Sequence, residues 1–307
     1  MNRMMVRAGL AAGVACVTTC TATIAIAHGF AGARFFPATV ATEDPFAADE
    51  LALPTVAWFK EDEVRTAAYS LEYSKRITRN LALSFGGTYL RLDPPGEPKA
   101  YGFENLEIGA KYQLAVNPMH ETIFSIGVEA ELGGTGTGHI GAEGFSVITP
   151  TLFFGKGFGD LFDSMSFMRA FAITGSIGVA LPTEARTADE FGDFEEHPNT
   201  LQLGLALEYS LPYLQSQVRN IGLGSPFDRL VLVTELSLQT PIDRGGGKTT
   251  GTINPGLFWA GQSVQLSAQA IIPWNRASGR TVGFLAELHF YLDDIFPTSL
   301  GRPIFGG

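Results

Sequence analysis

The segment from Asn105 to Val116 alternates between polar and apolar residues with a period of two. The polar or small set consists of Asn105, Glu107, Gly109, Lys111 and Gln113. The apolar set consists of Leu106, Ile108, Ala110, Tyr112, Leu114 and Val116. Such a period predicts a β-strand, because successive side chains leave a strand on opposite faces.

The same alternation returns between Leu201 and Leu211, where leucines alternate with polar residues such as Gln202 and Glu208. Long strands with one apolar and one polar face suit a closed barrel, whose outer face meets lipid and whose inner face meets water. We therefore predict an all-β fold, a transmembrane antiparallel up-and-down β-barrel.

Residues 1–27 have the features of a secretory signal peptide. Arg3 and Arg7 make the start basic, an apolar run follows, and the segment ends in the small-x-small sequence at 25–27. An uncleaved membrane anchor is the alternative. Both cysteines of the chain lie in this segment, so the exported chain would have neither a disulfide nor a cysteine metal site.

The rest of the chain has no apolar run of about 18 residues, so we expect no transmembrane helix. After an irregular stretch at 28–52, twelve strand-like segments follow. They span 54–60, 66–77, 81–93, 103–116, 121–134, 146–158, 168–183, 199–212, 229–241, 250–260, 263–274 and 280–292. We assign 53–297 to the barrel and 298–307 to a C-terminal tail, with ten or fourteen strands as alternatives to twelve.

Many connectors alternate between short and long, as the periplasmic turns and external loops of bacterial outer-membrane barrels do. This pattern predicts that both termini and the tight turns face the periplasm. Two connectors on that side, 159–167 and 213–228, are longer than the rule allows. We expect a short helix in the second, unless the strand count is wrong by a hairpin.

The net charge of the chain argues against one class of partner. Its formal net charge of −10 is a poor match for nucleic acid, which needs a basic surface. The predicted external loop at 184–198 is strongly acidic. It is either a solvated loop or a site that bridges to lipopolysaccharide through divalent cations.

Ionisable residues of the predicted strands fall on the lumen face, where charge is far less costly than in lipid. The candidate lumen-lining residues are Glu72, Glu107, Lys111, Glu129, Glu131, Glu208, Glu235, Glu287 and His289. A passage lined by carboxylates would favour cations or polar neutral solutes. The alternative is a packed lumen, in which carboxylates pair with bases and rigidify a closed barrel.

The sequence predicts no catalytic residue, cofactor or metal site. It lacks a G-x-S-x-G element, and no histidine stands at a recognisable spacing from a serine. The predicted function is a passive channel or transporter in the outer membrane, in contact with its lipid and lipopolysaccharide. A structural or interaction barrel with a filled lumen is the second alternative, and a soluble periplasmic β protein is the third. Nothing in the sequence predicts an oligomeric state.

Four segments resemble Gram-negative outer-membrane proteins of the MetA-pathway phenol-degradation family: FFPAT at 35–39, DPFAADE at 44–50, NPGL at 254–257 and LAEL at 285–288. The resemblance implies an outer-membrane barrel that moves small, apolar or aromatic molecules. It identifies no binding residue. Barrels of this kind usually end in a terminal aromatic residue, whereas this chain continues beyond Tyr291 into a tail.

The irregular stretch at 28–52 is apolar and rich in aromatic residues, namely Phe30, Phe35, Phe36 and Phe46. A segment of this kind can fold into a lumen as a plug, and a barrel that admits apolar solutes needs such a gate. The alternative is a flexible periplasmic leader.

Overall fold

The computed structural model describes residues 29–61, 63–188 and 193–306. The predicted signal peptide lies outside this range. Twelve long strands form one sheet. They are β1 (Glu50–Glu61), β2 (Val64–Arg76), β3 (Leu81–Asp93), β4 (Leu106–Asn117), β5 (Thr122–Leu132), β6 (Val147–Gly157), β7 (Phe171–Pro182), β8 (Thr200–Ser210), β9 (Leu230–Pro241), β10 (Thr250–Ala260), β11 (Val264–Pro273) and β12 (Gly283–Tyr291).

The sheet closes on itself. Each long strand pairs antiparallel with its neighbours in the chain, and β12 pairs with β1 through the register Leu285 to Ala57. A short strand, Ala100–Phe103, extends the β3 edge. Closure leaves no open edge among the long strands, as a barrel in lipid requires. The predicted all-β transmembrane barrel of twelve strands is confirmed, although β1 begins at Glu50 rather than at residue 54.

The barrel has two unlike ends, which we call the turn end and the loop end. The turn end carries three tight turns, both termini and the two long connectors. The first connector contains the helical turn Asp163–Ala170, and the second contains Leu211–Tyr213, Leu214–Val218 and Phe227–Arg229. The helix expected in the second connector is therefore present. The loop end carries the two-residue connection between β1 and β2 and, elsewhere, longer loops, one of which contains the small strands Arg186–Ala188 and Phe194–Glu196.

The outer surface of the barrel is apolar and carries aromatic pairs near both ends. Trp58 of β1 stacks on Phe284 of β12 near the loop end, with ring centroids 5.9 Å apart. Phe171 and Tyr209 meet edge to face at 4.7 Å near the turn end. Aromatic residues at these two levels match the girdles of membrane barrels. None of the helices in the described residues is long and apolar enough to span a membrane.

The predicted facing of Val116 is wrong. The alternation in β4 predicts Val116 on the lipid face, but the register with β5 shifts between Gln113 and Ala115. A β-bulge adds a residue to one strand and reverses the facing of the residues beyond it. Val116 consequently pairs with Ile123 and packs against a buried interior cluster.

Residues 29–49, which we call the hook, precede the barrel. The hook begins with two short paired strands, Phe30–Ala31 and Arg34–Phe35, and then runs inside the barrel to the start of β1. At the other terminus a short helix, Leu292–Ile295, follows β12. The tail lies against the turn end of β2, where the Ile304 N–H donates to the Arg76 carbonyl at 3.2 Å.

Candidate functional site in the barrel lumen

The tip of the hook is held by the carboxylate of Glu235, which is fully buried on β9. The backbone N–H groups of Val40, Ala41 and Thr42 donate to this carboxylate at 3.0, 2.9 and 2.7 Å. The Thr42 hydroxyl and the Gln269 amide add bonds of 2.8 and 2.5 Å. Hydrogen bonds to a charged acceptor are the stronger class, so this cradle is a major attachment of the hook.

A buried ion pair holds the start of the hook at the turn end. Arg34, with no exposed surface, lies 3.2 Å from Glu121 and also donates to the carbonyls of Arg169 and Ala170. The Tyr213 hydroxyl donates to the same carboxylate at 2.6 Å. Burial and this bond to Glu121 raise the pKa of Tyr213 to about 12, so its phenol stays protonated and remains a donor.

A second ion-pair cluster holds the end of the hook. The buried carboxylate of Asp49 lies 2.5 Å from the Lys75 ammonium and 2.7 Å from the Arg76 guanidinium. Lys75 also donates to the carbonyls of Leu300 and Arg302 in the tail. The hook and the C-terminal tail are thus fastened to the same end of β2.

Apolar packing fills the space between these attachments. Phe36 and Phe46 are buried, their ring centroids 5.7 Å apart, and they cluster with Ile123 of β5. Gly155 of β6 makes room for them, since a Cβ there would lie 2.8 Å from the Ile123 Cγ2 and 3.3 Å from Pro45. Of the four phenylalanines considered for a plug, Phe36 and Phe46 are inside the barrel. Phe30 and Phe35 lie in the short paired strands and contact each other at 5.2 Å.

A cavity of about 480 Å³ lies between the hook and the barrel wall. Six of the residues predicted to line the lumen border it: Glu72, Glu107, Lys111, Glu129, Glu287 and His289. The wall formed by β2, β4 and β5 carries three of the carboxylates. The opposite wall, formed by β7, β8 and β9, carries neutral polar groups, namely Ser176, Gln202, Ser237 and Gln239.

The charges around the cavity are unbalanced. Lys111 extends from β4 toward the hook, where it donates to the Asp44 carbonyl at 2.7 Å and lies 3.3 Å from the Glu43 carboxylate. His289 lies between Glu287 at 3.2 Å and Glu50 at 3.3 Å. Both bases are therefore engaged by neighbours. Lys111 is on the same wall as the carboxylates of β2, β4 and β5, so three carboxylates share that wall with one ammonium group.

The remaining predicted lumen residues lie elsewhere. Glu131 accepts a hydrogen bond from Asn105 at 3.0 Å, near the loop end. Glu208 and Glu235 are buried at the level of the hook. Within the described residues neither carboxylate oxygen of Glu208 has a hydrogen-bond partner. The hook thus separates the candidate residues that border the cavity from those that it covers.

Four attachment residues escape sequence reasoning, namely Arg34, Asp49, Glu121 and Tyr213. Each stands in a connector or at a strand end, where no strand period sets the direction of its side chain. The partners of Arg34 are distant in sequence, and they meet only when the hook enters the folded barrel. No group of three or more histidine, cysteine or acidic residues that could hold a metal ion was found among residues 29–61, 63–188 and 193–306.

No protein-family model matches the sequence, and no curated protein matches it either. Among solved structures, the chain is similar to an outer membrane channel from Pseudomonas putida F1. The TM-score is 0.57 and the identity 12%, and the match covers 83% of this chain and 99% of that one. A second similar structure is the NanC porin, with a TM-score of 0.47 and 8% identity, over 77% of this chain and 97% of that one.

The fold is therefore that of outer-membrane β-barrels. At such low identities the likeness concerns the fold alone. Membership of the MetA-pathway phenol-degradation family is not shown.

Proposed function

We propose that the protein is a passive outer-membrane channel for small cationic or polar solutes, with the turn end in the periplasm. The observation that carries this proposal is the cavity of about 480 Å³ with carboxylates on one wall. A barrel built only as a scaffold has no need of an excess of carboxylates over cations around a cavity. The fold likeness to an outer membrane channel supports the same function.

The hook gives this channel a closed state. It occupies the turn-end part of the lumen and is held by Glu235, by the Arg34 and Glu121 pair, and by Asp49. Solute can pass only when the segment between the two ion-pair clusters leaves the lumen. Release of the tip from Glu235 would be the smallest movement that widens the passage.

A barrel with a filled lumen is the second candidate, and the number of hook contacts favours it. If the hook never leaves, the protein is a scaffold or an interaction barrel. The MetA-family resemblance adds a different solute class, apolar or aromatic. The acidic wall argues for cations, because apolar solutes gain nothing from carboxylates. No catalytic role is proposed for any residue.

The test is single-channel current from the refolded exported chain in a planar bilayer under a KCl gradient. A second chain should lack the hook and begin at Glu50, because residues 50–52 belong to β1. We expect rare openings from the full chain and sustained current from the shortened one. Silence from a correctly folded shortened barrel would refute the channel and leave the filled barrel.

Ion selectivity gives a separate test of whether the carboxylates on β2, β4 and β5 favour cations. Substituting Glu72, Glu107 and Glu129 with glutamine in the shortened barrel should reduce the reversal potential that favours K⁺. Glu195→Gln is the matched control, since this exposed carboxylate lies in an external loop. Equal selectivity in the two variants would show that the wall does not select cations.

A further inference from the structure

The two long connectors at the turn end expose large apolar side chains. These are Phe162, Met165, Phe167, Met168, Ile221 and Phe227. Phe162 is 78% exposed and Phe227 is 58% exposed. Exposed apolar groups in such number are costly in water and usually mark an interaction surface. We call residues 158–170 and 211–229 together the shelf.

The shelf has a defined shape. The Arg169 guanidinium donates to the Leu161 carbonyl at 2.8 Å, and the Gln215 side chain forms hydrogen bonds of 2.7 and 3.1 Å with the Leu223 backbone. On the inner side, Ala170 and Tyr213 are buried. The exposed apolar side chains therefore belong to an ordered surface.

The shelf continues the lipid-facing surface of the barrel. Its first connector leads directly into Phe171, which meets Tyr209 in the turn-end aromatic pair. Its second connector ends at Arg229, whose guanidinium lies 5.9 Å from the ring of Trp259 on the outside of β10. Aromatic rings at this level mark the boundary between acyl chains and headgroups.

The charges of the shelf also match a lipid surface. Of its three acidic residues, Asp160 and Asp163 are paired with Lys156 and Arg169, and Asp228 is half-buried beside Arg229 in the chain. Arg219 and Arg229 are exposed, and in the described part of the chain neither forms an ion pair. Two guanidinium groups without a carboxylate partner, one of them over the Trp259 ring, can contact phosphate at the depth where the apolar groups meet acyl chains.

We propose that the shelf lies in the inner leaflet of the outer membrane, where its apolar side chains contact acyl chains and Arg219 and Arg229 bind anionic phospholipid headgroups. The shelf would also affect the position of the hook. Arg34 of the hook donates to the carbonyls of Arg169 and Ala170, on the inner side of the first connector. Seating of the shelf in lipid would thus fix the groups that hold the hook.

Fluorescence quenching in lipid nanodiscs tests the proposal on the folded exported chain, which has no cysteine of its own. Phe162→Cys and Phe227→Cys are labelled with an environment-sensitive dye, and phospholipids carrying a nitroxide on the acyl chain act as quenchers. Leu232→Cys, on the lipid face of β9, is the positive control. Thr298→Cys, in the exposed tail, is the negative control.

We expect quenching at both shelf positions close to that at Leu232. Quenching no stronger than at Thr298 would overturn the proposal and point instead to a protein partner in the periplasm. For the headgroups, nitroxide phosphatidylglycerol should quench at Phe227 more strongly than nitroxide phosphatidylcholine. That preference should disappear when Arg219 and Arg229 are both changed to glutamine. Equal quenching by the two lipids in the unsubstituted chain would remove the anionic headgroup from the proposal.

Discussion

The hydrogen bonds between the tip of the hook and Glu235 give the sharpest prediction about opening of the channel. Glu235→Gln keeps the size of the side chain but replaces one acceptor oxygen with an N–H₂ donor. The Oε2 atom accepts from Ala41, Thr42 N–H and the Thr42 hydroxyl, so glutamine is expected to keep its oxygen there. The new N–H₂ then faces the Val40 N–H and the Gln269 side chain.

The loss of stability of the seated hook can be estimated from these contacts. Gln269 can rotate its amide and accept from the new donor, because its own Oε1 is buried without a partner in the described residues. The Val40 bond is lost, and the bonds to Oε2 lose their charge. Hydrogen bonds to charged groups contribute about 1.5–3 kcal/mol and neutral ones about 1 kcal/mol, so one lost bond and three weakened ones give a gross loss of at least about 3 kcal/mol. Burying a neutral amide costs less than burying a carboxylate, which offsets part of the loss.

We therefore expect the seated hook to be destabilised by about 2 kcal/mol, which is roughly a 30-fold rise in the ratio of open to closed channels. The assay is the open probability of single channels in a planar bilayer. Glu107→Gln is the matched control, because Glu107 borders the same lumen and forms no hydrogen bond with the hook in the described residues. An unchanged open probability for Glu235→Gln, or an equal rise for Glu107→Gln, would refute the reasoning.

Three further predictions concern the attachments of the hook. Arg34→Ala leaves the Glu121 carboxylate buried without its cation and should lower the free energy of unfolding by about 3–5 kcal/mol in urea. Adding Glu121→Gln should recover part of that loss, and no recovery would contradict a buried pair. The raised pKa of Tyr213, about 12 against an ordinary 10.0, means that the folded state holds this proton more tightly. Its contribution to stability should be complete below about pH 10 and lost as the pH rises through about 12, whereas Tyr213→Phe should lack this loss in thermal unfolding; identical profiles would contradict the assignment. Gly155→Val should overpack the Phe36 site, at a cost of about 1–3 kcal/mol, and raise the open probability; a closed channel would show that Phe36 does not need this space.

Alternation allowed most of the barrel to be predicted from sequence, because closure makes every strand face lipid on one side and the lumen on the other. The prediction failed where that periodicity is interrupted. The bulge near Gln113 turns Val116 inward, and no residue type in that segment signals it. Alternation predicts a start of β1 that is four residues late, because the register is irregular between Ala52 and Thr55.

The candidate site was only partly predictable. The alternation within a strand is a local property. It predicts that Glu129 and Glu235 are both on the inner face of the barrel. Whether each borders the cavity or lies under the hook depends on the path of residues 36–49, which has no period. The attachments of that path, such as Arg34 to Glu121, join residues far apart in the chain.

A reversible cross-link tests most directly whether the hook is the gate. A Cβ built on Gly204 lies 3.2 Å from the Thr42 Cβ, close enough for a disulfide after a small adjustment. Thr42→Cys and Gly204→Cys are introduced into the Glu235→Gln chain, which has no other cysteine once the predicted signal peptide is removed. We predict a silent bilayer when the pair is oxidised and sustained current after reduction. Current that is the same in both states, or absent in both, would contradict a channel gated by its N-terminal hook.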